Sequence, residues 1–329
     1  MRILGAADVR KALPMPVAIE AMRQAFAGLS AGHVVMPPRI HMDIERHQGV
    51  LLIMPAYIND AVGEALAVKA VSLYPGNTAR GLAMIQAAVL VLDPHTGRPV
   101  AMMEGASLTA IRTAAVCGAA TDILARPDST VVAIFGAGAQ GRTQLRAICS
   151  VRPIETAWIY DPQPGRAEML IEELAGRDGI CPDLRPACTP AEALAEADVV
   201  CTATTSQNPV FDDADVREGT HINAIGSFQT HTREVPAETV VRALLIVDSR
   251  HDALEEAGDI IQPISDGLIT AEHIHAELGE LVRGIRPGRT SADQITFFKS
   301  VGVAVQETAA ARVALMNAEQ AGLGTVVPW

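Results

Sequence analysis

The chain has 329 residues, of which 49 % are apolar and 19 % charged, and 26 basic against 38 acidic residues leave a formal charge of −12. At roughly 150 residues per domain that is about two domains, with apolar material enough for their cores and too little charge for intrinsic disorder. An acidic chain without a basic stretch repels a phosphate backbone, and no apolar run approaches the ~20 residues of a membrane span, so neither nucleic acid nor membrane is an expected partner.

The start of the chain has no apolar stretch behind a basic one, so no secretory signal is expected. The five cysteines, Cys117, Cys149, Cys181, Cys188 and Cys201, are odd in number and form no Cys-x-x-Cys pair. They read as reduced, packed thiols of a cytoplasmic protein, with no disulfide framework and no metal site.

Helical spacing first shows in residues 16–29, where Ile19, Met22, Phe26 and Leu29 share a face, Pro16 sits in the first turn and Gly32 lies past the end. From 40 to 104 short apolar runs alternate with turn residues, including Asn59-Asp60, Pro75-Gly76-Asn77 and the stretch 93–97, and predict a sheet. Ser107 precedes an Ala-rich helix through Leu124 that Pro127 stops. Beyond it, apolar strands at 130–135, 156–160, 198–202, 221–225 and 243–247 alternate with helical patterns, among them 140–149, 165–174 and one opened by the capping box Thr189 to Glu192. Alternation of this kind predicts a parallel, doubly wound sheet. The last stretch, 296–317, is Ala-rich and reads as helical, lying beyond the alternating region.

The sharpest motif is Gly136-Ala137-Gly138-Ala139-Gln140-Gly141, which follows an apolar strand and opens a helix, with Asp161 ending the next strand. Gly136 allows the tight turn, Gly138 lets the backbone approach a pyrophosphate, and Gly141 lets helix and strand pack closely. Ala139 and Gln140 then lie at a helix N-terminus, whose free N–H groups attract an anion. Asp161 suits the hydroxyls of the adenine ribose and repels a 2′-phosphate, which favours NAD(H) over NADP(H), while the nearby Arg166 blurs that preference.

Three cations stand beside apolar segments: Arg39 after Pro37-Pro38, Lys69 within the apolar run 65–73, and Arg112 in the Ala-rich helix. Each has a plain reading, respectively a loop charge, a snorkelling strand residue and a solvated helix position. The functional reading is convergence on a small anionic substrate, for which Arg offers a fork that fits a carboxylate and Lys a proton. The nine histidines show no metal spacing: His273 and His275 are two apart on a segment read as helical, and no nucleophile elbow supports a hydrolase.

With these residues in view, the chain resembles the ornithine cyclodeaminase and mu-crystallin family over nearly its whole length. The resemblance rests on Pro37-Pro38-Arg39, Met54-Pro55-Ala56, Val68-Lys69-Ala70, Pro75-Gly76-Asn77, the stretch from Leu108 to Ala115, the glycine turn, Asn223-Ala224-Ile225-Gly226 and Ser300-Val301-Gly302. It implies an α/β protein in which a doubly wound Rossmann domain, 118–302, is inserted into a discontinuous α+β substrate and dimerisation domain, 1–117 plus 303–329. It implies a homodimer. It implies that Arg39, Lys69 and Arg112 bind a substrate carboxylate beside the nicotinamide, and that Thr113, Thr202, Ser300, Val301 and Gly302 are further cofactor contacts.

The family's cyclodeaminases carry an acid where this chain has Phe228, and an aromatic ring cannot accept a proton. The residues around Gly226-Ser227-Phe228 are more similar to the family's bacterial imine reductases. That likeness implies NAD(P)H-dependent reduction of Δ1-pyrroline-2-carboxylate to L-proline, or of the six-membered homologue to L-pipecolate. Arg112, helped by Arg39, would clamp the carboxylate, Lys69 would serve the imine nitrogen, and Ser227 would orient the nicotinamide or a water. The family also holds ornithine cyclodeamination, alanine or other amino-acid dehydrogenation, and cofactor binding without turnover as alternatives.

Overall fold

A computed structural model describes residues 1–329, the side chain of Thr78 excepted. The chain forms two compact units, Met1–Arg112 with Ala304–Trp329, and Thr113–Val303. The divisions fall a few residues from the expected 117/118 and beside the expected 302/303, and the first lies inside the helix Gly105–Leu124.

In the first unit an eight-stranded sheet runs in the order Thr325–Val326, Arg2–Leu4, Pro99–Glu104, Ile85–Leu92, Gly63–Leu73, Gly49–Asp60 and Val34–Val35, and Ile40–Ile44 also pairs with Gly49–Asp60. The long hairpin Gly49–Asp60 to Gly63–Leu73 is antiparallel, and Lys69 lies opposite Met54 on one side and Val89 on the other. Side chains alternate along a strand. Ala65, Ala67, Lys69 and Val71 therefore share the buried face, against which helix Ala304–Ala321 packs. Leu66, Val68 and Ala70 turn to the other face and are only half-buried. Helix Met15–Ser30 buries Ile19, Met22 and Phe26, with Leu29 at the margin. Arg312 on helix Ala304–Ala321 grips Asp60 at the hairpin tip through two 3.0 Å contacts and donates to the Gly63 carbonyl.

The second unit is built on an eight-stranded sheet in the order Asp183–Pro186, Thr156–Tyr160, Val131–Phe135, Val199–Thr202, His221–Ala224, Thr296–Lys299, Leu244–Val247 and Ile274–Glu277, every registered pair being parallel. Chain order reverses between Val131–Phe135 and Val199–Thr202, the switch point where open α/β sheets take ligands. One core gathers Ala133, Phe135, Leu245 and Phe297; another holds Val132, Ile134, Ile159 and Leu170. Alternation along Val131–Phe135 divides its side chains between the two, so both sheet faces are covered.

Three readings need correction. Residues 296–299 are not helical: Thr296–Lys299 is a fully buried strand in the middle of the sheet, and the helix begins only at Ala304. A β-branched residue and two phenylalanines suit a pleated, buried position, and Gly302 with φ +85° breaks the chain before the helix. His275 lies in strand Ile274–Glu277 rather than a helix, its Nε2 2.9 Å from the Pro287 carbonyl oxygen. The capping box at Thr189 is also displaced: Thr189 accepts from the Glu192 N–H, while Glu192 reaches back to the N–H of Cys188. Among the described residues no helix is long and apolar enough to cross a membrane.

Candidate active site and cofactor turn

The glycine turn follows strand Val131–Phe135 directly. Gly136 has φ +99°, and a Cβ there would lie 2.6 Å from the Ala203 carbonyl oxygen. Gly141, in the first turn of helix Ala139–Cys149, is closed off more severely, since its Cβ would meet the Gly136 carbonyl oxygen at 2.0 Å. At Gly138, the residue before that helix, a Cβ would meet nothing within 4 Å. Two glycines are thus required by the protein's own packing, and the third leaves open space at a helix N-terminus, where backbone N–H groups await an anion.

Ala139 is exposed beside it, and Gln140 Oε1 is buried with no hydrogen-bond partner, as is Thr202 Oγ1 at the carboxyl end of its strand. Buried polar atoms without partners are rare in proteins, and these two suit a polar ligand on this edge. Thr113 accepts a hydrogen bond from Gln144 through its carbonyl.

Asp161 accepts the Ala137 N–H on one oxygen and the Gln163 N–H on the other, both at 2.9 Å. Each oxygen has a further lone pair for a ribose hydroxyl. Arg166 is exposed at the start of helix Arg166–Leu174. The turn after strand Thr296–Lys299 hangs on one buried carboxylate oxygen: Asp248 Oδ2 accepts from Ser300 Oγ, Val301 N–H and Gly302 N–H at 2.7, 2.9 and 2.8 Å. Burial pushes the Asp248 carboxyl above its ordinary range, and these donors oppose the shift.

Sequence reasoning missed a second buried group on this unit. Glu234 accepts from the N–H and the hydroxyl of Thr204 and from the N–H groups of Gly226 and Ser227. Asp259 accepts the Glu234 and Val235 N–H groups and pairs with Lys299 Nζ at 2.8 Å. The Lys299 ammonium also donates to the Ser227 carbonyl. Ser227, expected to act at the nicotinamide or a water, is buried, and its hydroxyl donates to the Thr232 carbonyl at 2.6 Å. Its hydroxyl proton is thus held by the loop.

In the first unit the structure brings two of the three expected cations onto a residue that sequence reasoning did not select. Glu307, 1 % exposed on helix Ala304–Ala321, places Oε1 2.6 Å from Lys69 Nζ and 2.7 Å from Arg112 Nε. The Arg112 contact is an ion pair lying off the line of its N–H bond; the guanidinium makes its aligned bond to Gln306 Oε1, at 2.6 Å. Lys69 is 3 % and Arg112 6 % exposed, so neither is a solvated or snorkelling side chain. Arg39 is half-buried, and its charge acts on Lys69.

Burial drives the Lys69 ammonium down to about 8; Arg112 and Arg39 push the same way, and Glu307 opposes them. Burial pushes Glu307 up, but Arg112 and Lys69 outweigh it and hold the carboxyl below its usual value. The asymmetry has a plain cause: Glu307 sees two cations, whereas Lys69 sees two cations and one anion. An anionic carboxylate beside a lysine lowered to about 8, with a guanidinium in reach, can bind an acid and move a proton. The one sequence signal was the Gln306-Glu307 pair, polar residues in a run of small apolar ones.

The model of the ornithine cyclodeaminase/mu-crystallin family matches residues 1–322. The chain belongs to that family. Within it, the chain is 35 % identical to a Δ1-pyrroline-2-carboxylate reductase of Bacillus cereus over 98 % of both chains. It is similar to the structure of the Thermococcus litoralis Δ1-pyrroline-2-carboxylate reductase in complex with NADH and L-proline, with TM-score 0.94, 44 % identity, and 99 % of this chain and 100 % of that one covered. An archaeal alanine dehydrogenase dimer with bound NAD shares the architecture at TM-score 0.91 and 33 % identity, over 100 % of this chain and 99 % of that one.

Proposed function

We propose that this family member is a nicotinamide-dependent ketimine reductase. Its substrate would be a small cyclic imine carboxylate: Δ1-pyrroline-2-carboxylate, giving L-proline, or the six-membered homologue, giving L-pipecolate. The observation that carries this reading is the buried group Lys69, Arg112 and Glu307, which combines a carboxylate-binding fork with a lysine near 8. The likeness to reductases of that substrate supports it.

Arg112, with Arg39, holds the substrate carboxylate and so fixes the ring. Lys69 donates to the imine nitrogen and gives up its proton there, which leaves the carbon more electrophilic. NAD(P)H, when bound, supplies the hydride. The C=N bond becomes a single bond, the nitrogen having gained a proton and the carbon a hydride.

For the cofactor, Gly136, Gly138, Ala139, Gln140 and Gly141 would hold the pyrophosphate and Asp161 the adenine ribose. Thr113, Thr202, Ser300, Val301 and Gly302 would be further contacts. Asp161 favours NAD(H), since its carboxylate repels a 2′-phosphate; Arg166 is positioned to soften that preference. We also propose a homodimer formed through the half-buried sheet face of Leu66, Val68 and Ala70, with Met102, which is 38 % exposed, at its margin. Light scattering in solution tests the dimer.

Phe228 stands exposed where an acid would be needed for ornithine cyclodeamination. A dehydrogenase acting on an open-chain keto acid and ammonia is the second reading, favoured by the likeness to the alanine dehydrogenase. Oxidation of NADH and NADPH, followed by absorbance with Δ1-pyrroline-2-carboxylate, its six-membered homologue, ornithine, or pyruvate plus ammonia, decides among them. Fast oxidation with a cyclic imine is the expected result. Oxidation with pyruvate and ammonia alone would favour the dehydrogenase, and proline formed from ornithine the cyclodeaminase.

A further inference from the structure

We infer that Glu307 is a positioning residue of the active site: one of its carboxylate oxygens holds the Lys69 ammonium and the Arg112 guanidinium together and keeps Lys69 a proton donor. The inference rests on the proposed reductase reading for its activity arm and on geometry for the rest.

Two cations buried in one place repel each other strongly, because little solvent screens them. Here a single oxygen, Glu307 Oε1, lies 2.6 Å from one and 2.7 Å from the other. It sets their spacing and offsets one of their charges. The charged groups acting on Lys69 come from three segments: Glu307 on helix Ala304–Ala321, Arg112 on helix Gly105–Leu124, and Arg39 before strand Ile40–Ile44. Its strand neighbours Met54 and Val89 are apolar. Glu307 is therefore the one group among these that favours the ammonium.

The other oxygen, Oε2, is buried without a hydrogen-bond partner. An unpaired buried acceptor is costly, so the carboxylate is poorly explained as a device for stability alone. Its effect on the two cations is the better account.

The test is Glu307→Gln, which keeps shape and removes charge, with Glu307→Asp to restore the charge. In the wild type, reduction of the cyclic imine should decline as pH rises through about 8, where Lys69 loses its proton. In Glu307→Gln that limb should move down by about 1–3 pH units, the usual effect of an opposite charge at this range. The share of wild-type kcat that the variant retains should therefore fall with pH between the two limbs and level off above about 8, and Glu307→Asp should bring the limb back toward its wild-type place. A Glu307→Gln enzyme with the wild-type limb, or one impaired equally at every pH, would overturn the inference.

A second readout does not depend on turnover. Lys69 has a folded value of about 8 against an ordinary 10.5, so the unfolded chain binds more protons between them and stability rises with pH across that window. In Glu307→Gln the rise in Tm should begin at lower pH, and adding Lys69→Met should abolish that difference. An unchanged window would refute the role of Glu307 even in a protein that reduced no imine. A shifted window with no imine turnover would keep it and reject the reductase reading.

Discussion

The glycine turn offers an anion backbone N–H groups at a helix end, whereas the Lys69 group offers formal charges taken out of water. The turn is built from six consecutive residues, 136–141, and packing requires two of its glycines, Gly141 against the turn itself and Gly136 against Ala203. The charged group joins Lys69 to a carboxylate 238 residues away, on a helix that begins at Ala304. Neutral donors in a fixed turn do not titrate, so they suit a cofactor bound alike at any pH. Buried charges shift one another, so they suit a step in which a proton moves. On the proposed reading, local backbone geometry holds the cofactor, and long-range pairing supplies the proton.

Breaking the charged side should have the largest effect. Lys69→Met should lower imine reduction by about 10²–10⁴-fold, the usual worth of a positioned acid. NADH binding, followed by fluorescence titration, should be unchanged. Full turnover with unaltered KM would mean that Lys69 has no part in the chemistry.

Breaking the backbone side should separate two glycines that look alike in sequence. Gly141→Ala drives a Cβ to 2.0 Å from a carbonyl oxygen and should cost about 2 kcal/mol or more of stability, read by calorimetry. Gly138→Ala enters open space; its Tm should stay within about 2 °C. Its Kd for NADH should nevertheless rise about tenfold, because the ligand and not the protein fills that space. Equal behaviour of the two variants would remove the distinction.

A comparable effect is expected at the ribose. Asp161→Ser should raise the NADPH-to-NADH ratio of kcat/KM about tenfold. The last concerns neither site. Arg152 donates to the carbonyls of Thr121, Asp122 and Ala125 at the end of helix Gly105–Leu124. Arg152→Ala should cost about 1–2 kcal/mol in denaturant unfolding and leave KM alone.

The glycine turn was legible because its residues are contiguous and Gly136 and Gly141 answer to steric demands that other residues fail. Lys69 and Arg112 were legible as out-of-place cations, though their sequence neighbours did not distinguish a solvated charge from a paired one. Glu307 was not legible: an acid in an Ala-rich helix looks solvated until the strand it faces is known. Ser227 lay in a recognisable stretch, yet its hydroxyl turned inward to Thr232, a choice made by the loop's own packing. Thr296–Lys299 was misread because a short apolar run ahead of a helix has no period of its own.

By itself the sequence determined the alternation of strands and helices, the glycine turn, and the likeness to the ornithine cyclodeaminase and mu-crystallin family. Those follow from backbone sterics and side-chain period, which act over a few residues. Tertiary structure alone decided that Lys69 faces helix Ala304–Ala321, that Glu307 meets it there with Arg112, and that Thr296–Lys299 enters the middle of the second sheet. A charge removed from water needs a partner wherever the fold supplies one, and nothing in the neighbouring sequence says where that is.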